Sequence, residues 1–245
     1  MADPISIAKV SMLADLERIR DFGQNVANAS TAGYRRQVPF SMTDLMGTTE
    51  SSLTEYGTSG DVGVQTDITG GAIKTTARQL DIALEGEGYL AVNTAEGVRY
   101  TRRGDLRVDP QGRLVTQAGD PVIAGGGEVI LQSGNSQSAS IKISSDGEIT
   151  DGDRPLGKLR IAEFGNPRAL EYVGSDLFKA TTHSGAIDGQ PRTRVRQNAL
   201  ETSNVRPVQD MTGMMQASRQ FEMSRNAMMA YDTMLDAAIN TLATF

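Results

Sequence analysis

Met214, Phe221, Met228, Leu235 and Leu242 stand at strict seven-residue spacing near the end of this chain. The companion positions Ala217, Ser224, Tyr231, Ala238 and Phe245 are small or apolar. An a/d pattern sustained through about four heptads predicts a coiled-coil helix rather than an ordinary surface helix. No proline follows Pro207, which sits where a first-turn proline is tolerated. As one helix, Asn204 to Phe245 would reach roughly 55–60 Å at about 1.5 Å per residue. An apolar seam of that length needs a partner.

The other end of the chain supplies a second heptad series. Ile5, Met12, Ile19 and Val26 are seven apart, with Ala8, Phe22 and Ala29 in most companion positions. Asp15 breaks the companion series, and Leu16 beside it is the expected substitute. Asp3 as N-cap and Pro4 at the first helical position mark the start of this helix. The stretch Asn25-Val-Ala-Asn28-Ala-Ser-Thr-Ala-Gly33-Tyr34-Arg35-Arg36 marks its end. Asn and Gly supply left-handed backbone there, and the two arginines are expected near the negative end of the helix dipole. The two terminal seams can therefore satisfy each other. The alternative from periodicity alone is two ordinary amphipathic helices packed on one globular core.

Composition narrows the function classes. The chain has 245 residues, enough for a real core, and a net charge of −6, which disfavours a general nucleic-acid-binding surface. No apolar run approaches the roughly 18 residues of a membrane span, so no direct membrane insertion is expected. Met1–Val10 lacks the basic and apolar regions of a secretory signal, so the chain is expected to be cytoplasmic or exported without a cleaved signal peptide. Zero cysteines exclude disulfides and thiolate metal sites, and a single histidine leaves little for metal or acid–base chemistry.

Between the helices the period changes to two. Met42 to Asp67 is rich in Thr, Ser and Gly and buries little on its own, so 37–71 reads as an extended arm. From Ala72 onward, short strands are predicted at Asp81–Leu84, Tyr89–Val92, Val98–Thr101, Leu106–Val108, Leu114–Thr116, Pro121–Ile123 and Glu128–Leu131. Further strands are expected at Ile141–Ile143, Glu148–Thr150 and Leu177–Ala180, with Leu156–Phe164 as the longest. Asp109-Pro-Gln-Gly112 and Ser145-Asp-Gly147 are hairpin turns. Together these argue for a compact all-β domain over about Ala72–Gln197. No strand–helix–strand alternation supports a dinucleotide fold.

Candidate chemical sites are weak one by one. Glu85-Gly-Glu-Gly88 lacks the third glycine of a phosphate loop, and Gly125-Gly-Gly127 is more simply a turn. Asp146, Asp151 and Asp153 have the wrong spacing for a calcium loop and no closing glutamate. His183 has no motif partner, and Arg192, Arg194 and Arg196 lie on one strand face where acidic neighbours pair them. No catalytic residue, cofactor or metal is called for, and the chain reads as a non-enzyme.

Five motifs in order carry a family resemblance. Asn25-Val-Ala-Asn28-Ala-Ser-Thr-Ala-Gly33-Tyr34-Arg resembles the Asn-Leu/Ile-Ala-Asn-x-x-Thr-x-Gly-Phe/Tyr-Lys/Arg motif of bacterial flagellar rod and hook proteins. Gln79-Leu-Asp-Ile-Ala-Leu-Glu-Gly-Glu-Gly88-Tyr, Tyr100-Thr-Arg-Arg-Gly104-Asp-Leu with its hairpin, Leu200-Glu-Thr-Ser-Asn204-Val and Arg219-Gln-Phe221-Glu-Met are similar to later motifs of that family. Val26 and Gln79 depart from the usual Leu and Pro. In length the chain is more like the proximal-rod members than the hook protein, with the distal rod as near alternative.

The resemblance implies an α+β fold with a terminal helical domain (1–36 and 204–245), an extended arm (37–71) and a central β domain (72–203). It implies a structural, non-enzymatic subunit of the flagellar basal-body rod in the periplasm. Export by the flagellar type III apparatus is implied as well, with other copies of the chain and other rod proteins as partners. Ile5, Met12, Ile19, Val26, Met214, Phe221, Met228, Tyr231, Leu235 and Leu242 are then the subunit-interface candidates. Asn25, Asn28, Gly33, Tyr34 and Asn204 are the motif residues. The rival class is a ligand-binding or enzymatic β domain with helical dimerisation ends. Limited proteolysis of the dilute protein separates them: a rod subunit is expected to be clipped at both ends, leaving a fragment near Ala72–Gln197. Uniformly resistant termini would count against that reading.

Overall fold

Each end of the chain is helical: α1 (Pro4–Ala27) has 24 residues and α2 (Pro207–Leu242) has 36. The computed structural model describes residues 4–40, 63–125, 127–131, 141–152, 154–187 and 192–242. Within them short antiparallel strands separate the helices, so the class is α+β. Two compact units result. The helical unit takes Met1–Ala27, Gln37–Gln65 and Val205–Phe245, and the β unit takes Asn28–Arg36 and Thr66–Asn204.

In the helical unit α1 packs on α2. Pro207 occupies the first position of α2, as its missing N–H and fixed φ favour. Gly213 lets α2 approach Phe22 closely, because a Cβ there would sit 2.7 Å from the Phe22 ring. The Phe22 ring lies near the end of α1 and Gly213 near the start of α2, so the two run antiparallel. Counting back from Phe22 to Pro4, and the same distance forward from Gly213, arrives at Tyr231. Side chains follow that count. Ala217 is buried, and Met12, Ile19, Val26, Met214, Phe221, Met228 and Tyr231 are half-buried.

The expectation for Asp15 is overturned. Asp15 itself fills the companion position at 1% exposure, while Leu16 is 47% exposed and points away. Helical geometry explains it, because Asp15 lies one turn before Ile19 and two before Phe22, whereas Leu16 is rotated out of that stripe. Asp21 and Asn25 are buried on α1 as well. Arg18 approaches Asp15 at 3.5 Å, and the second carboxylate oxygen has no hydrogen bond among the described residues. Burial pushes the Asp15 carboxyl above its ordinary value, and Arg18 pulls it partly back. Asp21 is raised for the same first reason, against the nearby Arg20. The strands Gln37–Phe40 and Gly63–Thr66 pair with each other, and the first packs on α1. The rest of the expected arm, residues 41–62, lies outside the described residues, as do Asp3 and Asp153.

The β unit is built around a six-stranded antiparallel sheet. Its order is Glu171–Gly174, Leu177–Lys179, Gly97–Thr101, Tyr89–Thr94, Ile161–Phe164 and Ala186–Ile187. Leu90, Val92, Leu114, Val122, Ile149 and Leu159 belong to its main core. A second cluster stacks Tyr89 edge-on to Phe164 and Phe178, at 5.8 and 5.6 Å between ring centres. The Asp109 turn closes its hairpin by accepting the Gln111 and Arg113 N–H groups at 2.9 and 2.7 Å. Ile82–Glu85 pairs with Arg194–Gln197, placing buried Leu84 opposite buried Val195 and Arg196 within 3.4 Å of Glu85.

One predicted strand divides. Leu156–Phe164 is two strands, Arg154–Lys158 and Ile161–Phe164, in different sheets. The apolar residues recurring through Leu156, Leu159, Ile161 and Phe164 hide the corner at Leu159-Arg160, where each residue's neighbours belong to different ladders: Arg160 N–H donates to Ile123 O, and Leu159 N–H to Gly147 O.

Asp15 gives the helical unit a pH dependence of definite sign. A carboxyl raised in the folded state contributes stability below its unfolded value near pH 4 and loses it as pH rises through the folded value. Asp15→Asn mimics the protonated form. It is expected to raise the melting temperature at pH 7 by about 2–5 °C, and the gain should vanish towards pH 4. Calorimetry at both pH values checks this, and an Asn variant less stable at pH 7 would contradict it.

Candidate assembly interface

The seam of α2 outlasts its partner. Met214, Phe221, Met228 and Tyr231 are covered along the α1 pairing, whereas Leu235 is 41% exposed. Met234 and Ile239 are exposed on the same last turns. Ile5 and Leu242 belong to α1 and α2, but their side chains lie outside the described residues. Val208, Met211, Met215 and Met229 are exposed too, on the side of α2 turned away from Ala217 and Phe221. The helix therefore presents apolar surface in two places. One is the continuation of its seam and the other is its outer face.

The motif residues fall into two groups. Asn25, fully buried at the end of α1, acts as a substitute strand within the helical unit. Its side-chain amide donates to Gln37 O at 2.7 Å and accepts the Gln37 N–H at 2.8 Å. That fixes the strand Gln37–Phe40 against the helix. The others lie in the β unit. Asn28 accepts from the Thr31 hydroxyl at 3.1 Å and closes the turn. Gly33 is required twice over. Its φ is +71°, and a Cβ would lie 2.5 Å from the Arg102 carbonyl carbon. Tyr34 is buried beside it. Asn204 accepts the Arg36 N–H at 2.7 Å and donates to Asp67 O and Thr69 O at 3.0 and 2.9 Å.

Behind these contacts lies a charge cluster that the sequence reading missed. Arg35, Arg102 and Glu201 are 2%, 5% and 3% exposed. Arg35 pairs with Glu201 at 2.9 Å and Arg102 approaches it at 3.8 Å. The excess positive charge is answered by oxygens and a ring face. Arg35 donates to Thr69 O, and Arg102 donates to Leu84 O at 3.2 Å and to Gly86 O. The Arg102 guanidinium also lies 5.3 Å from the centre of the Tyr89 ring. Glu201 accepts the Gly71 N–H at 2.9 Å. Burial lowers Arg102 from its ordinary value, with Glu201 opposing, and raises the Tyr89 hydroxyl.

Arg35 was expected at the helix dipole. α1 ends at Ala27, however, and the dipole's influence fades within the last turn, so Arg35 finds a carboxylate instead. Each member of the cluster comes from a different motif. The signal was a charged residue embedded in each apolar or turn-forming run.

His183 is exposed, with the Thr182 hydroxyl at 3.3 Å. Among the described residues no three His, Asp or Glu side chains gather as a metal site, and no helix is long and apolar enough to cross a membrane.

Comparison with known proteins agrees with the geometry. The family described as flagellar basal body rod FlgEFG protein C-terminal matches residues 196–241, and the flagellar hook protein FlgE/F/G D1 domain matches residues 83–151. The flagellar basal-body rod protein FlgF of Salmonella typhimurium is 34% identical over 228 residues, 85% of each chain. FlgF of Escherichia coli is 35% identical with the same coverage. FlgG of Borreliella burgdorferi is 32% identical over 261 residues, 95% of this chain and 96% of its own. On this identity and coverage, the chain belongs to the family of flagellar basal-body rod proteins.

Proposed function

We propose that this chain is a structural subunit of the flagellar basal-body rod that polymerises through its terminal helices. The observation that carries the reading is the overhang of α2. Its apolar stripe runs on past Tyr231, level with the start of α1 at Pro4, and leaves Leu235 and Ile239 exposed with no partner helix among the described residues. Apolar surface exposed in register with a covered seam is suited to the helix of another subunit. Burying a Leu or Met side chain is worth about 1.5–3 kcal/mol, so a few such residues supply an appreciable contact energy.

The partners are then other copies of the chain and other rod proteins. Identities of 34% and 35% to two FlgF relatives support a proximal-rod place, and 32% to a FlgG over more of the chain keeps the distal rod as second reading. Family membership also supports passage through the flagellar type III export apparatus without a cleaved signal peptide, and residence in the periplasmic part of the basal body.

Leu235→Asp tests the overhang. The side chain is already exposed, so the monomer should keep its circular dichroism and melting temperature. The critical concentration for polymers, read by sedimentation and electron microscopy, is expected to rise about 10-fold or more. Phe221→Asp, inside the covered seam, should damage both the helix pair and assembly. Polymerisation of the Leu235→Asp chain at the wild-type concentration would sink the reading.

A further inference from the structure

We infer that Glu201 is a positioning residue, one that clasps together segments adjoining three of the four points where the chain passes between the β unit and the helical unit. The β unit ends at Arg36 on one of these crossings and at Asn204 on another. Those two residues touch directly, through the Arg36 N–H and Asn204 Oδ1 at 2.7 Å. The segments leading to them are laced by Gly33 N–H to Glu201 O at 2.8 Å and Asn204 N–H to Tyr34 O at 3.4 Å. A third segment, Asp67–Ala72, joins through Asp67 N–H to Arg36 O and Thr202 N–H to Ala72 O, both 2.8 Å.

Backbone pairs of this kind at the edge of a domain fray unless something beneath them resists separation. Glu201 is that element. Its carboxylate reaches Arg35 on the first crossing segment, Gly71 on the third, and Arg102 on the strand turn below. It is the one anion between two buried cations within the cluster, so its charge decides whether the segments attract or repel.

A purely space-filling role would be served as well by apolar side chains, since hydrophobic replacement of a buried ion cluster often preserves or raises stability. Directional bonds from Arg35 to Thr69 O, and from Arg102 to Leu84 O and Gly86 O, would not survive such a replacement. The clasp and the packing can thus be separated by experiment. The inference rests on the assembly reading only for its final readout.

The test uses full-length chain as wild type, Glu201→Gln, and the triple variant Arg35→Met, Arg102→Met, Glu201→Leu. Hydrogen exchange is followed at Gly33, Gly71 and Asn204, with Leu114 and Val122 of the sheet core as reference. In Glu201→Gln the three clasp amides are expected to exchange roughly 100-fold faster while the core amides stay within about 3-fold. The triple variant should melt near the wild-type temperature yet show the same local loss, and both variants should polymerise poorly. The inference is overturned if clasp and core amides accelerate together. Full protection and polymerisation in the triple variant overturn it too. A wild-type chain that does not polymerise overturns the assembly reading instead, and the exchange pattern still decides the clasp.

Discussion

The helical unit depends on bringing together two helices from opposite ends of the chain. Neither α1 nor α2 has a core of its own, and among the described residues each buries its stripe chiefly against the other, with the strand Gln37–Phe40 added on α1. Closing a loop of this length costs entropy, although the cost grows only as the logarithm of the loop. The β unit reduces it further. Once Asn28–Arg36 and Thr66–Asn204 have folded, the crossing residues Arg36 and Asn204 are already hydrogen-bonded to one another. α1 joins the β unit at Asn28 and α2 leaves it at Asn204, so the folded β unit shortens the loop between the helices, and the remaining contest is between seam burial and the ordering of side chains. The β unit therefore lowers the entropic cost of the helical pair as well as being a unit in its own right.

The chain uses buried charge at both places where position matters more than stability. Asp15 sits in a seam where an apolar residue would bind better, and its raised carboxyl shows that the site disfavours the charge. A polar residue at one seam position costs stability but penalises a shifted register, since shifting would strand it elsewhere against apolar side chains. The Arg35–Glu201–Arg102 cluster works on the same logic with more bonds. Its carbonyl and carboxylate partners accept only one arrangement, whereas an apolar plug would tolerate several. Gly33 adds a steric condition, because nothing larger fits against the Arg102 backbone.

What could be read from the sequence follows from the range of the forces involved. Helix starts, the seam spacing and the Asp109 hairpin are local, and Pro4, Pro207 and the Asp109 turn stand where local chemistry puts them. Leu156–Phe164 misled because strand-forming residues recur through it without a turn signal at Leu159-Arg160, where the chain passes from one sheet to another. Asp15 misled because hydrophobicity was weighed above angular position. The charge cluster was invisible for a deeper reason. Arg35, Arg102 and Glu201 are distant in sequence, each looks like an ordinary surface residue, and only the fold brings them together. The family motifs marked the places without explaining them.

The unequal lengths of the two helices bear on what kind of assembly this subunit can enter. Helices of equal length and antiparallel pairing would close on each other and leave nothing to extend. Here α2 is 36 residues against 24 for α1, so one end of the pair presents half a seam. A half-seam at one end of a subunit and an outer apolar face along its side are different surfaces, and a contact between different surfaces is heterologous. Repeated heterologous contacts give a ring if the rotation closes and an open helical array if it does not. In a rod the array must also be stiff. Stiffness favours helices that touch several neighbours over a two-chain zipper, and the outer stripe from Val208 to Met229 gives α2 a surface for that beyond its covered seam.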